Sequence, residues 1–205
     1  AVPFGAVYRI IDFTLSNFHR NLVLNTVMSF ENATVSGNVL ADGSPETAHI
    51  EFQAVSATAA DLTVDATGSF SVELSPGNYT VYAVNQDGSR AYLGELVVAD
   101  PDDLTFDIVL VEAFRLAGVT FANNGGVSAE VSINGMMSIT SSIDGAYELY
   151  LPGGAYSLSA EAELTENGLG VDYQATTTVS LSDATTKGIY LQRVTEQDVA
   201  VTWDS

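Results

Sequence analysis

Three aspartates crowd one short stretch, Asp100, Asp102 and Asp103, with Pro101 between the first two and Asp107 following. Hard carboxylate oxygens gathered on a turn suit Ca²⁺. No EF-hand spacing accompanies them, so a solvated acidic loop is the competing reading. Other chemistry is scarce. The chain has no cysteine, which removes thiolate catalysis, Cys-based zinc sites and disulfides. His19 and His49 are the only histidines, and His49, beside Ile50 and Phe52 on an expected strand, reads as a rim residue rather than a base. No Gly-x-Ser-x-Gly elbow, His-Glu-x-x-His helix or P-loop occurs. The 26 acids offer many carboxylate pairs for glycoside hydrolysis, and no pair stands out. Lys187, the single lysine, leaves an isopeptide crosslink to a neighbouring Asn or Asp chemically open. Two sequons, Asn32-Ala33-Thr34 and Asn78-Tyr79-Thr80, offer glycan sites on an exported surface. The expectation is a protein that is not an enzyme and needs no cofactor, with calcium the one ion its side chains suit.

Charge narrows the partners. Six Lys+Arg face 26 Asp+Glu over 205 residues, a net charge of −20. Nucleic-acid binding needs basic patches that replace counterions around phosphate, and none exists here. An anionic membrane surface is disfavoured for the same reason. A carboxylate-rich surface repels itself unless salt or cations screen it, which suits a saline exterior. No apolar run is long enough for a transmembrane helix. Arg9, Asp12, His19 and Arg20 interrupt residues 1–30, so no signal peptide is read there, and if the protein is exported, as its expected extracellular, cell-surface place requires, this is the mature chain.

The elements that must carry these residues are strands. Val72 and Leu74 alternate with Ser71 and Glu73; Val81 and Ala83 with Thr80 and Tyr82; Phe106, Ile108 and Leu110 with Asp107, Val109 and Val111. Period-two patterning bounded by Gly, Asn, Asp and Pro marks half-buried strands, and helical periodicity is missing. The pattern then repeats. Gly68–Ala83 returns as Gly145–Ala160 at a constant spacing of 77 residues, and Val35-Ser36-Gly37 returns as Leu116-Ala117-Gly118 at 81. Gly68 and Gly145 stand where a hairpin demands positive φ. Pro76-Gly77 and Pro152-Gly153 suit type II or related turns. Tyr79 and Tyr156 can bury their rings and bond backbone at a corner of the sandwich.

These motifs resemble the carboxypeptidase regulatory-like domain, a small transthyretin-like and immunoglobulin-like sandwich. The resemblance rests on Val35-Ser36-Gly37-Asn38-Val39, Gly43-Ser44-Pro45, the Asp/Thr-x-Gly-x-Phe/Tyr step and the Leu-x-Pro-Gly-x-Tyr step. The second copy has Asn123-Asn124-Gly125-Gly126 in place of the Gly-x-Pro step, and its Pro152 is shifted. The implied fold is all-β: two tandem immunoglobulin-like/transthyretin-like β-sandwiches over 31–112 and 113–195, with an N-terminal strand arm over 1–30 and a C-terminal strand over 196–205. The resemblance implies an accessory or scaffolding habit and no active site. Residues 1–17 are similar instead to a segment of glucose-1-phosphate adenylyltransferase. The Gly-rich nucleotide loop and Lys of that family are missing, so the similarity carries no catalytic expectation.

The arm has its own pattern. Ile11, Phe13 and Leu15 share one face, Asp12, Thr14 and Ser16 the other, and Leu22 and Leu24 continue the apolar content. An apolar strand must bury its face somewhere. It can pair with its own sheet, add to a neighbouring subunit by β-augmentation, or form a short amphipathic helix. Val199, Val201 and Trp203 pose the same question at the other end. The reading taken is a structural subunit of an extracellular filament or cell-surface assembly, a homopolymer joined by strand exchange, with glycans at Asn32 and Asn78. The alternative is an adhesion or carbohydrate/protein-binding module, for which Tyr92, Tyr150 and Tyr173 are the candidate contact residues.

Overall fold

A computed structural model describes residues 32–55, 60–99, 103–123 and 125–194. The arm residues Ile11, Phe13, Leu15, Leu22 and Leu24 lie outside the described residues, as do Asp100, Asp102 and residues 196–205, where a C-terminal strand is expected. The described residues form strands and turns without a helix, so none is long and apolar enough to cross a membrane. The fold is all-β, as the alternation predicts.

Twelve strands of four or more residues build it: β1 (Ala33–Ala41), β2 (Thr47–Ala54), β3 (Leu62–Thr67), β4 (Ser69–Leu74), β5 (Gly77–Asn85), β6 (Arg90–Val98), β7 (Ile108–Ala122), β8 (Glu130–Ile133), β9 (Met137–Thr140), β10 (Ala146–Pro152), β11 (Gly154–Glu166) and β12 (Leu169–Leu181). In the first sandwich one sheet runs β3-β2-β5-β6. The other sets β1 antiparallel to β4 and parallel to Leu104–Thr105 and the start of β7. The second sandwich repeats the plan. One sheet runs β9-β8-β11-β12, and the other sets β7 antiparallel to β10 and parallel to Thr185–Thr186 and Ile189–Tyr190.

β7 therefore serves twice. Its first residues close the first sandwich and its later residues open the second, without a break over 15 residues. The expected division at 112/113 falls inside this strand.

The repeated motifs have repeated geometry. Gly37 and Gly118 sit where the closing strand passes over the opening one; a Cβ at either would overlap the carbonyl oxygen of Phe106 or Lys187. Phe106 N donates to Ser36 O at 2.9 Å and Lys187 N to Ala117 O at 2.8 Å, fixing that close approach in both copies. Gly68 and Gly145 adopt φ of 87° and 84°, the left-handed region that L side chains avoid. The Tyr79 hydroxyl donates to Ser75 O and the Tyr156 hydroxyl to Pro152 O, each at 2.8 Å and each four residues back. Both are the expected corners. Of the two options for the Pro-Gly pairs, type II is excluded, because Gly77 and Gly153 are not among the positive-φ glycines. The tyrosine corner holds the reversal instead.

Candidate functional site

β5 is buried on both faces from Tyr79 to Ala83. Tyr79, Val81 and Ala83 point into the first core, as the alternation requires. Thr80 and Tyr82, expected on the polar face, are only 1% and 5% exposed. What covers them is the second sandwich. Tyr82 and Ala91 pack in the same cluster as Met137, Leu149 and Leu151, with Val84 and Leu93 against it.

Hydrogen bonds complete this seam. The Tyr82 hydroxyl donates to Tyr150 O at 2.8 Å and accepts from Tyr150 N at 3.4 Å. The Thr80 hydroxyl donates to Met136 O at 2.9 Å. The Gln53 amide grips Ser138 at both backbone atoms, Nε2 donating to the carbonyl at 2.9 Å and Oε1 accepting from the amide at 2.8 Å. Burial pushes the Tyr82 hydroxyl up to about 12 against an ordinary 10.0, because an anion there would lose its water. A seam with a buried apolar centre and satisfied polar partners resists bending.

The predicted site residues are dispersed. Asp103 is exposed, and no group of three or more His, Asp or Glu among the described residues is placed to hold a metal ion. Asn32 is exposed, its side-chain oxygen accepting from the Ser75 hydroxyl at 2.9 Å. Asn78 is exposed on β5, facing outward. His49 lies on β2 with Nδ1 2.8 Å from Asp65 Oδ1 and Nε2 3.7 Å from a Glu51 oxygen, so carboxylates and not a hydroxyl nucleophile flank it. Lys187 is half-buried and makes no ion pair with a described residue.

The three tyrosines proposed for ligand contact do not form a platform. Tyr173 is buried with its hydroxyl on Glu166 and Asn123. Tyr92 packs edge-on against Phe106, ring centres 6.2 Å apart. Tyr150 belongs to the seam. Among the described residues the exposed aromatic is Tyr190, stacked on Phe121 at 5.1 Å, which the sequence pattern did not single out.

Surface electrostatics are local. Arg115 pairs with Glu148, and that hydrogen bond holds the Glu148 carboxyl below its usual range. Hydrogen bonds from Tyr173, then Asn123, do the same for Glu166. An open groove of about 350 Å³ on the second sandwich is lined by Glu161, Glu163, Asp172 and Gln174. It offers acceptors and no nucleophile–base pair.

No protein-family model matches the chain, and no curated protein matches it. Solved structures are similar at low overlap. The chain resembles the Streptococcal ancillary pilin with a TM-score of 0.32 and 14% identity, covering 79% of this chain and 63% of that one. It resembles the Bacillus anthracis TIE protein with a TM-score of 0.33 and 13% identity, covering 80% and 34%. For a variant of the shaft pilin SpaA from Lactobacillus rhamnosus GG the TM-score is 0.30 and the identity 10%, covering 82% and 99%. The chain thus spans less than two thirds of the first two structures it matches.

Proposed function

We propose that the chain is a structural subunit of an extracellular, cell-surface filament or related assembly. The observation that carries this reading is the seam. Two sandwiches joined by an unbroken β7, with Tyr82, Thr80 and Gln53 bonded across the junction, make a stiff strut. An enzyme or a hinged receptor needs a cleft or a moving junction, whereas a filament subunit needs neither.

The apolar arm over 1–30 supplies the joint between subunits. Each described sandwich has its own parallel closing strand, which supports addition of the arm at an open sheet edge of the next subunit. Main-chain hydrogen bonds along the added strand give affinity, and Ile11, Phe13 and Leu15 fill pockets on alternate positions. Head-to-tail addition propagates as a fibre unless it closes into a ring. The binding-module alternative has less support, because Tyr173 is buried, Tyr92 is half-buried against Phe106 and Tyr150 is bonded at the seam.

Deleting residues 1–30 tests the reading. Sedimentation and electron microscopy are expected to show polymer from the full chain and only monomer from the truncated one, with unchanged circular dichroism. Normal assembly of the truncated chain would overturn it.

A further inference from the structure

Asn78 lies on the outer face of the first sandwich, in a row that runs from Val55, just past the end of β2, across β5 to Val97 on β6. Its carbonyl accepts from Val55 N at 2.9 Å, and it pairs with Val97 on the other side. Those two valines are 63% and 61% exposed, an unusual pair of large apolar side chains flanking one open amide. The other sequon residues are locked. Tyr79 is in the core, and the Thr80 hydroxyl is buried against Met136 O of the second sandwich.

We propose that Asn78 carries an N-linked oligosaccharide that is attached before the second sandwich docks and is refused afterwards. The donor is a lipid-linked oligosaccharide diphosphate. The Asn78 Nδ2 forms a bond to the anomeric carbon, that carbon's bond to the diphosphate oxygen breaks, and the amide proton leaves with the lipid diphosphate. A transferase reads the sequon as an extended peptide with the Thr80 hydroxyl available. In the folded chain that hydroxyl donates to Met136 and is screened by the seam, so the sequon is reached only when the seam opens. Met136 lies 56 residues after Thr80, which leaves roughly 3–11 s of synthesis before the cover exists. Once attached, the first sugars lie along the row, and their apolar faces cover Val55 and Val97, which removes two exposed side chains from water. Asn32 is not gated in this way. The hydroxyl of its sequon, on Thr34, bonds Glu73 at the surface of the first sandwich.

The test uses the full chain in two arms. Secreted from a host that glycosylates during synthesis, it is digested and mapped by mass spectrometry after deglycosylation in heavy-oxygen water; Asn78 is expected to be occupied in most molecules. Unglycosylated folded chain is then offered to a purified oligosaccharyltransferase with lipid-linked oligosaccharide, beside the same chain in urea-unfolded form. Modification of Asn78 is expected to be at least about tenfold slower in the folded chain, because it must wait for local opening. Tyr82→Ala, checked for retained strand content by circular dichroism, is expected to restore part of that rate. An unoccupied Asn78 in the secreted protein overturns the proposal. So does equal modification of folded and unfolded chain.

Discussion

The two sandwiches share topology, register and motif spacing, yet equivalent outer faces carry opposite chemistry. In the first, the cross-strand rows on β2, β5 and β6 are Glu51-Tyr82-Leu93 and His49-Val84-Ala91. In the second, the equivalent rows on β8, β11 and β12 are Ser132-Ser159-Thr176 and Glu130-Glu161-Gln174. The first set presents Tyr82, Val84, Ala91 and Leu93 to a neighbouring domain. The second presents hydroxyls and a directly opposed pair of glutamates, an arrangement that solvent tolerates and an interface does not. Whether a sheet face becomes a junction is thus written in a few outward residues and not in the repeat that builds the sheet. The second face lacks the apolar set from which this type of junction is made.

The comparison breaks most visibly if the first face is given the chemistry of the second. Replacing Tyr82 by Ser and Leu93 by Thr, the equivalents found on β11 and β12, is expected to cost about 3–5 kcal/mol, as large-to-small changes at buried aromatics do. The single calorimetric transition expected of the native chain should separate into two, one for each sandwich. A single transition at unchanged temperature would mean that the seam does not couple them.

A gentler change isolates the hydroxyl. Tyr82→Phe keeps the ring and leaves the Tyr150 carbonyl without its donor, at roughly 1–2 kcal/mol. It also has a pH signature. Burial raises both Tyr82 and Tyr147 from 10.0 to about 12 in the fold. The unfolded chain releases these protons from pH 10 upward while the folded chain holds them to about 12, so folding loses ground across that window and not below it. Urea midpoints for the native chain should therefore fall between pH 10 and 12. Tyr79, Tyr92 and Tyr156 are raised by burial too, so for Tyr82→Phe the fall should be shallower by the Tyr82 contribution alone, and an identical slope would place Tyr82 outside the low-dielectric seam.

The smallest effect lies on the second face. Glu130→Gln removes one of the directly opposed charges, Glu130 and Glu161, and is expected to stabilise by about 0.2–1 kcal/mol at low salt. Added salt should shrink the difference, since exposed charges are screened. Destabilisation by this change would show that the glutamates act through a bound partner rather than by repelling each other.

Much of the fold was legible before any coordinates. Alternation in Val72–Leu74 and Ile108–Leu110 named the strands and their core side, and the 77-residue spacing named the two copies. Gly68, Gly145, Tyr79 and Tyr156 behave as their local chemistry requires. The misread positions share one cause. Thr80 and Tyr82 alternate correctly with Val81 and Ala83, so the pattern placed them opposite the core, but alternation says nothing of what lies on that other side. Tyr150 and Tyr173 offered ring and hydroxyl to a ligand for the same reason: the contacts that occupy them, the Tyr82 hydroxyl on the Tyr150 carbonyl and Asn123 on the Tyr173 hydroxyl, come from 68 and 50 residues away. Among the candidate site residues, Asn32, Asn78 and Asp103 are exposed as their polar character suggests.

From the residues alone follow the strand class, the pairing of two like units and the special glycines and tyrosines, because φ preferences and side-chain alternation act over a few neighbours. Only the tertiary structure decided which outer face is covered and that β7 belongs to both sandwiches. Those outcomes depend on contacts such as Thr80–Met136 and Gln53–Ser138, spanning 56 and 85 residues. No local rule reaches that far, because their free energy exists only once two complete sheets have formed and met.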